Sequence, residues 1–226
     1  MEKKSVLVGW LMLGICMAGF LCLSGTAQAT LTSEPAGEEA PDMPPTYYLS
    51  IFTNNGMYSD SDQVVLFAEV TDAGDSKVMF KVRNESTVNC AIAKVCFDDG
   101  VLFGIADVNN GPDTDFEQPA NQDNLPAGNT LEPPFVTTQG FSVGPENEPA
   151  HNGINPGEWL EITFDLNGGF DYQNVLDQLD DLSLRIGVHV IAFPDGSSES
   201  AVTPEPATVA VLGLGGVLLC IKKRRG

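Results

Sequence analysis

Alternation with a period of two dominates the middle of this 226-residue chain. Val78, Phe80 and Val82 alternate with Lys77, Met79, Lys81 and Arg83. Leu160, Ile162, Phe164 and Leu166 alternate with Trp159, Glu161, Thr163 and Asp165. In 182–193, Leu182, Leu184, Ile186, Val188 and Val190 share one face, and Arg185, Gly187 and His189 the other. Successive side chains on a strand point to opposite sides, so this pattern marks half-buried strands. Further strands are expected at 47–52, 63–71, 92–97 (the most apolar and so central) and 101–106. Turn chemistry separates them at Asn54-Asn55-Gly56, Asp72-Ala73-Gly74-Asp75, Asp98-Asp99-Gly100 and Asn167-Gly168-Gly169. Only 170–181 spaces its apolar residues (Tyr172, Val175, Leu176 and Leu179) as a helical face. Seven or eight short strands and one short helix predict an all-β fold. An antiparallel β-sandwich over 47–196 is expected, with a jelly roll as one form of it.

Residues 107–157 break the pattern. These 51 residues hold eight prolines, eight asparagines and eight carboxylates, with no Lys or Arg. They are expected as a long acidic loop region, with 135–138 and 140–143 as short strands. Residues 197–203 are expected as a linker.

Both ends carry a different kind of signal. Lys3 and Lys4 precede an apolar stretch from Val6 to Leu23, and Ala27-Gln28-Ala29 is a small-x-small cleavage site. This is the pattern of a secretory signal peptide over 1–29, cut by signal peptidase between Ala29 and Thr30. Cys16 and Cys22 follow Ile15 and Leu21 rather than a small residue, which argues against a lipoprotein. Residues 30–46, with four prolines and four acids, read as a flexible leader.

The C-terminus reads Thr203-Pro204-Glu205-Pro206, then an apolar, glycine-rich run over 207–221, then Lys222-Lys223-Arg224-Arg225. Fifteen residues make roughly 22 Å of helix at ~1.5 Å each. A bilayer core of about 30 Å needs about 20 apolar residues, so the expected membrane helix is a poor permanent anchor. The basic cluster should stay cytoplasmic and leave the body outside. Gly213, Gly215 and Gly216 would let another helix approach closely. Motif, short apolar run and basic end, over 204–226, closely resemble the PEP-CTERM sorting signal of bacterial exported proteins. The resemblance implies recognition and removal of the tail by an exosortase, a membrane-embedded cysteine transpeptidase. The body is also similar to PEP-CTERM proteins of unassigned activity. That likeness rests on Phe80-Lys81-Val82-Arg83-Asn84, Phe97-Asp98-Asp99-Gly100, residues 152–158 and Leu184-Arg185-Ile186-Gly187-Val188-His189-Val190.

Between the two signals, residues 30–203 hold 29 carboxylates against five basic side chains, a formal charge of −24. Such a field repels nucleic acid and anionic lipid and favours divalent cations and basic partners. No basic residue falls between Lys94 and Arg185, where 17 carboxylates do. Cys90 and Cys96 are an even pair in an exported body. Along one strand they would lie ~20 Å apart, and no turn residue separates them, so two packed thiols are the nearer expectation than a disulfide.

The body offers only His151 and His189 as imidazole bases, and the chain has no H-E-x-x-H and no glycine-rich phosphate loop. A calcium site is the best cofactor candidate. Asp107, Asn109, Asp113 and Asp115 lie within nine residues, with Asp98 and Asp99 at a neighbouring turn, although the spacing is not that of an EF-hand. Trp159, opposite the apolar face, is a candidate sugar-stacking residue, with Tyr47, Tyr48 and Tyr172 in support. The leading expectation is a non-enzymatic structural or interaction protein, exported and processed, then delivered to the cell surface or an extracellular polymer matrix. The alternatives are a module binding extracellular polysaccharide through an aromatic platform around Trp159, and a secreted glycoside-hydrolase-like enzyme with two converging carboxylates or a His–Asp pair.

Overall fold

The computed structural model describes residues 43–98 and 100–204. The cleavage residues Ala27, Ala29 and Thr30, the leader up to residue 42, the membrane segment, and Glu205 and Pro206 of the tail motif lie outside the described residues. Within them the alternating segments become strands in two sheets, both antiparallel throughout, so the fold is an all-β sandwich. The first sheet runs β1 (Thr46–Tyr48), β3 (Leu66–Gly74), β4 (Lys77–Asn84), β9 (Trp159–Leu166) and β6 (Leu102–Asn110). The second runs β2 (Ser50–Ile51), β11 (Glu199–Val202), β10 (Arg185–Ile191), β5 (Ala91–Asp98), β8 (Ser142–Pro145) and β7 (Phe116–Glu117). One helix, α1 (Tyr172–Asp181), joins β9 to β10. Among the described residues, no helix is long and apolar enough to cross a membrane.

The inward faces are the ones parity selects. Val78, Phe80 and Val82 on β4, and Leu160, Ile162 and Phe164 on β9, meet Phe97 on β5 and Ile186, Val188 and Val190 on β10, all fully buried. Phe97 ties the sheets together. Its ring lies 5.0 Å from Phe80 and 4.7 Å from Phe164, both edge-on, the geometry in which aromatic pairs add to their burial. The helix starts at a reciprocal cap. The Asp171 carboxylate accepts from the Asn174 amide N–H at 3.1 Å, and the Asn174 side-chain oxygen accepts from the Asp171 N–H at 3.0 Å. Leu182, at φ +64°, ends it in the left-handed region.

Several boundaries differ from the sequence reading. The segment 47–52 is two strands, because the chain crosses from the first sheet to the second at the buried Leu49. The β3–β4 turn sits two residues later than expected, with Asp75 and Ser76 both at positive φ. The expected strand at 182–193 begins only at Arg185. Residues 199–202, expected within a linker, form β11, pinned because the fully buried Glu199 carboxylate accepts from Thr53 Oγ1, from the Asn55 N–H (2.9 Å) and from Ser59 Oγ (2.8 Å).

The acidic region 107–157 is largely organised. Its first residues continue β6, and β7 and β8 lie within it. The expected strand at 135–138 is absent. Instead, residues 118–138 lie as a cover across the outer face of the second sheet. A proline-rich chain makes few ladder bonds, so its carbonyls need other donors. Lys94 gives its ammonium to the carbonyls of Gln122 and Asn124, and Arg185 gives its guanidinium to those of Pro133 (2.8 Å) and Pro134 (2.6 Å). Leu125 and Phe135 of the cover press onto Gly187. A Cβ there would stand 2.7 Å from the Leu125 side chain and 2.9 Å from the Phe135 ring. Arg185 and Gly187 do face away from the core, as parity requires, but both are buried beneath this layer.

Candidate functional site

With much of the second sheet under this cover, the outer face of the first is a broad strand surface that the described residues leave to solvent. Strand register arranges it in rows. Tyr48 on β1 pairs with Phe67 on β3, Phe67 with Arg83 on β4, and Arg83 with Trp159 on β9. The next row runs Thr46, Glu69, Lys81, Glu161 and Asn109. Tyr48 is 61% exposed and its ring lies 5.6 Å from that of Phe67. The Lys81 ammonium stands 4.1 Å from the Trp159 ring centre and 3.0 Å from the Glu161 carboxylate. Glu161 also accepts from the Asn109 amide at 2.7 Å.

Every base on this face is matched. Lys77 pairs with Asp165, Lys81 with Glu161, and Arg83 with Glu85 (2.9 Å) and Glu69 (3.9 Å). Half-exposed pairs of this kind add little stability. Their effect is to leave the rows close to neutral on a strongly acidic body. Lys94 and Arg185, the two bases that flank the long acidic stretch in sequence, both lie under the cover.

Trp159 stands on the solvent side, as its parity implies. Its ring is not a bare platform, since Lys81 sits over it and Gly111 packs so near that a Cβ there would come 3.0 Å from Trp159 Cδ2. Tyr48 joins it on the face. Tyr47 and Tyr172 turn inward, where Tyr47 donates to Asp180 (3.1 Å) and Tyr172 to the Val70 carbonyl (2.9 Å). Burial and then the Asp180 charge raise the Tyr47 pKa.

The calcium constellation is not assembled. Asp107 and Asn109 lie on β6, where Asn109 is engaged by Glu161, while Asp113 and Asp115 lie beyond it around the turn before β7. Asp98 is held by Arg185. Among the described residues no group of three or more His, Cys, Asp or Glu side chains is placed to hold a metal ion. Cys90 and Cys96 are free, buried thiols, and burial pushes Cys96 up to about 11.

Among the described residues neither histidine meets a carboxylate side chain. His151 is exposed, with Nδ1 3.0 Å from the Asn152 side-chain oxygen. His189 lies between Lys94 and Ser200 in the register of the second sheet. Burial, and then the Lys94 charge, hold its pKa below the ordinary 6.5. The unfolded chain therefore takes up a proton that the folded chain resists. His189 contributes stability that is present above pH 6.5 and is lost as the pH falls from there toward the lower folded value. Denaturant midpoints measured from pH 7.5 to 5.5 should fall more steeply for the natural protein than for His189→Gln. Parallel slopes would mean that His189 does not titrate differently on folding.

Comparisons with protein-family models, with curated proteins and with solved structures find no match.

Proposed function

We propose that the chain is an exported protein of the PEP-CTERM kind, trimmed at its C-terminus by an exosortase and delivered to the cell surface or the extracellular polymer matrix. There it serves as a non-catalytic structural or interaction module. The observation that carries this reading is the order Pro204-Glu205-Pro206, short apolar run, four basic residues. The way the body ends agrees with it. Thr203 follows β11 directly, donating its N–H to the Ile186 carbonyl at 3.0 Å. Among the described residues the last strand thus ends one residue before the motif, and a cut beyond Thr203 would leave every described strand in place.

Replacing Pro204, Glu205 and Pro206 by alanines should leave the unprocessed chain in the inner membrane. Fractionation and intact mass of the product check this. A mature natural protein that still carries Lys222 to Arg225 would sink the proposal.

A further inference from the structure

We infer that the outer face of the first sheet binds a neutral polysaccharide, laid across the strands along Tyr48, Phe67, Arg83 and Trp159. This deepens the reading of the body as an interaction module and is independent of how the C-terminus is processed. Four observations support it. The row crosses four strands, three spacings or about 14 Å, enough for a segment of a few sugars. Its rings sit at the two ends, Tyr48 with Phe67 on one side and Trp159 on the other, with the Arg83 guanidinium between them. The exposed Tyr48 ring offers its face to the apolar C–H side of a sugar, and the Trp159 indole, with Lys81 over it, bounds the row at the other end.

The neighbouring row supplies what hydroxyl groups need. Glu69, Lys81, Glu161 and Asn109 offer acceptors and donors side by side. The Lys81–Glu161–Asn109 contacts hold three of them in fixed positions, which lowers the ordering cost of binding.

Charge selects the class of ligand. A polyanion would have to displace a carboxylate from each base of this face, against a chain of net charge −20. A polycation would be drawn to the many unmatched carboxylates elsewhere and would gain nothing from paired ones. A protein seated here would have to desolvate the ion pairs of three bases. An uncharged, hydroxylated polymer needs no counter-charge and can leave those pairs partly wet.

The test is affinity electrophoresis of the full chain, recovered in mild detergent, through gels containing a soluble β-glucan, a soluble galactomannan, or the polyanion alginate. Sedimentation and release of reducing sugar are followed on the same samples. A neutral gel should retard the natural protein, and alginate should not. Tyr48→Ala should weaken retardation by about tenfold or more, as truncation of a dominant aromatic contact does at other interfaces, and Trp159→Ala should weaken it as well. Phe103→Ala should leave it unchanged, because Phe103 is 70% exposed on β6 but lies outside the row. No retardation by either neutral gel, equal losses in Tyr48→Ala and Phe103→Ala, or stronger retardation by alginate would overturn the inference. So would self-association of the natural protein that Tyr48→Ala abolishes, since a second copy would then be the occupant. Release of reducing sugar would instead overturn the non-catalytic reading while leaving the binding face in place.

Discussion

Ile186→Asp should yield a chain that no longer folds cooperatively. Ile186 is fully buried between the sheets, opposite Phe97 on β5, and its backbone exchanges hydrogen bonds with Thr203 just beyond β11. Loss of the buried side chain alone removes about 2–5 kcal/mol. A carboxylate without a partner in that position adds a penalty of several kcal/mol more. A domain of this kind has only about 5–15 kcal/mol in total. Circular dichroism and thermal melting of the full chain check this. A cooperative transition within a few degrees of the natural one would mean that the register of β10 against β5 is wrong.

Arg185→Ser, one residue away, is the second large effect. Parity alone would class it as a mild surface change. The structure places Arg185 beneath the proline-rich cover, bonded to the Asp98 carboxylate and to the carbonyls of Pro133 and Pro134, with both partners of the ion pair nearly buried. Truncation leaves a buried carboxylate and two carbonyls without their donor, a loss of about 3–5 kcal/mol. Adding Asp98→Asn should recover part of it, because the stranded charge is then gone. Urea midpoints of the two variants measure the difference. A loss of only about 0.5 kcal/mol, as at an ordinary surface site, would show that the cover is not held by this side chain.

The contrast between neighbouring residues shows what the chain announces and what it hides. Period-two spacing identified Val78, Phe80, Val82, Leu160, Ile162, Phe164 and Ile186 as inward-facing, because the hydrophobic pattern of a half-buried strand is a local property. It also placed Arg185, Gly187 and Trp159 on the opposite faces. What lies beyond a face is not local. Nothing in residues 118–138 has a period, since Lys94 and Arg185 of the sheet hold them through their carbonyls rather than through a ladder. The small side of Gly187 is meaningful only once Leu125 and Phe135 are above it. Glu199 was lost to the sequence reading for a related reason: a buried carboxylate satisfied by three donors carries no apolar signal. The four proposed calcium ligands were close in sequence, yet a strand and a turn carry them apart. The Tyr48–Phe67–Arg83–Trp159 row depends on the registers of three strand pairs, and single-strand patterns do not fix those. Only Trp159 and Tyr48 were visible as candidates.

β1 begins at Thr46, β11 ends at Val202, and the two ends share one hollow, lined by Thr46, Tyr47, Tyr48, Thr203 and Pro204. The first crossing at Leu49 and the last strand make this so, since β2 is the neighbour of β11. A body whose ends lie together is modular in a literal sense. It could be spliced into a surface loop of a host protein as a single insert, or have its ends joined and be reopened at the exposed Asp75–Ser76 turn, without any strand changing its neighbours.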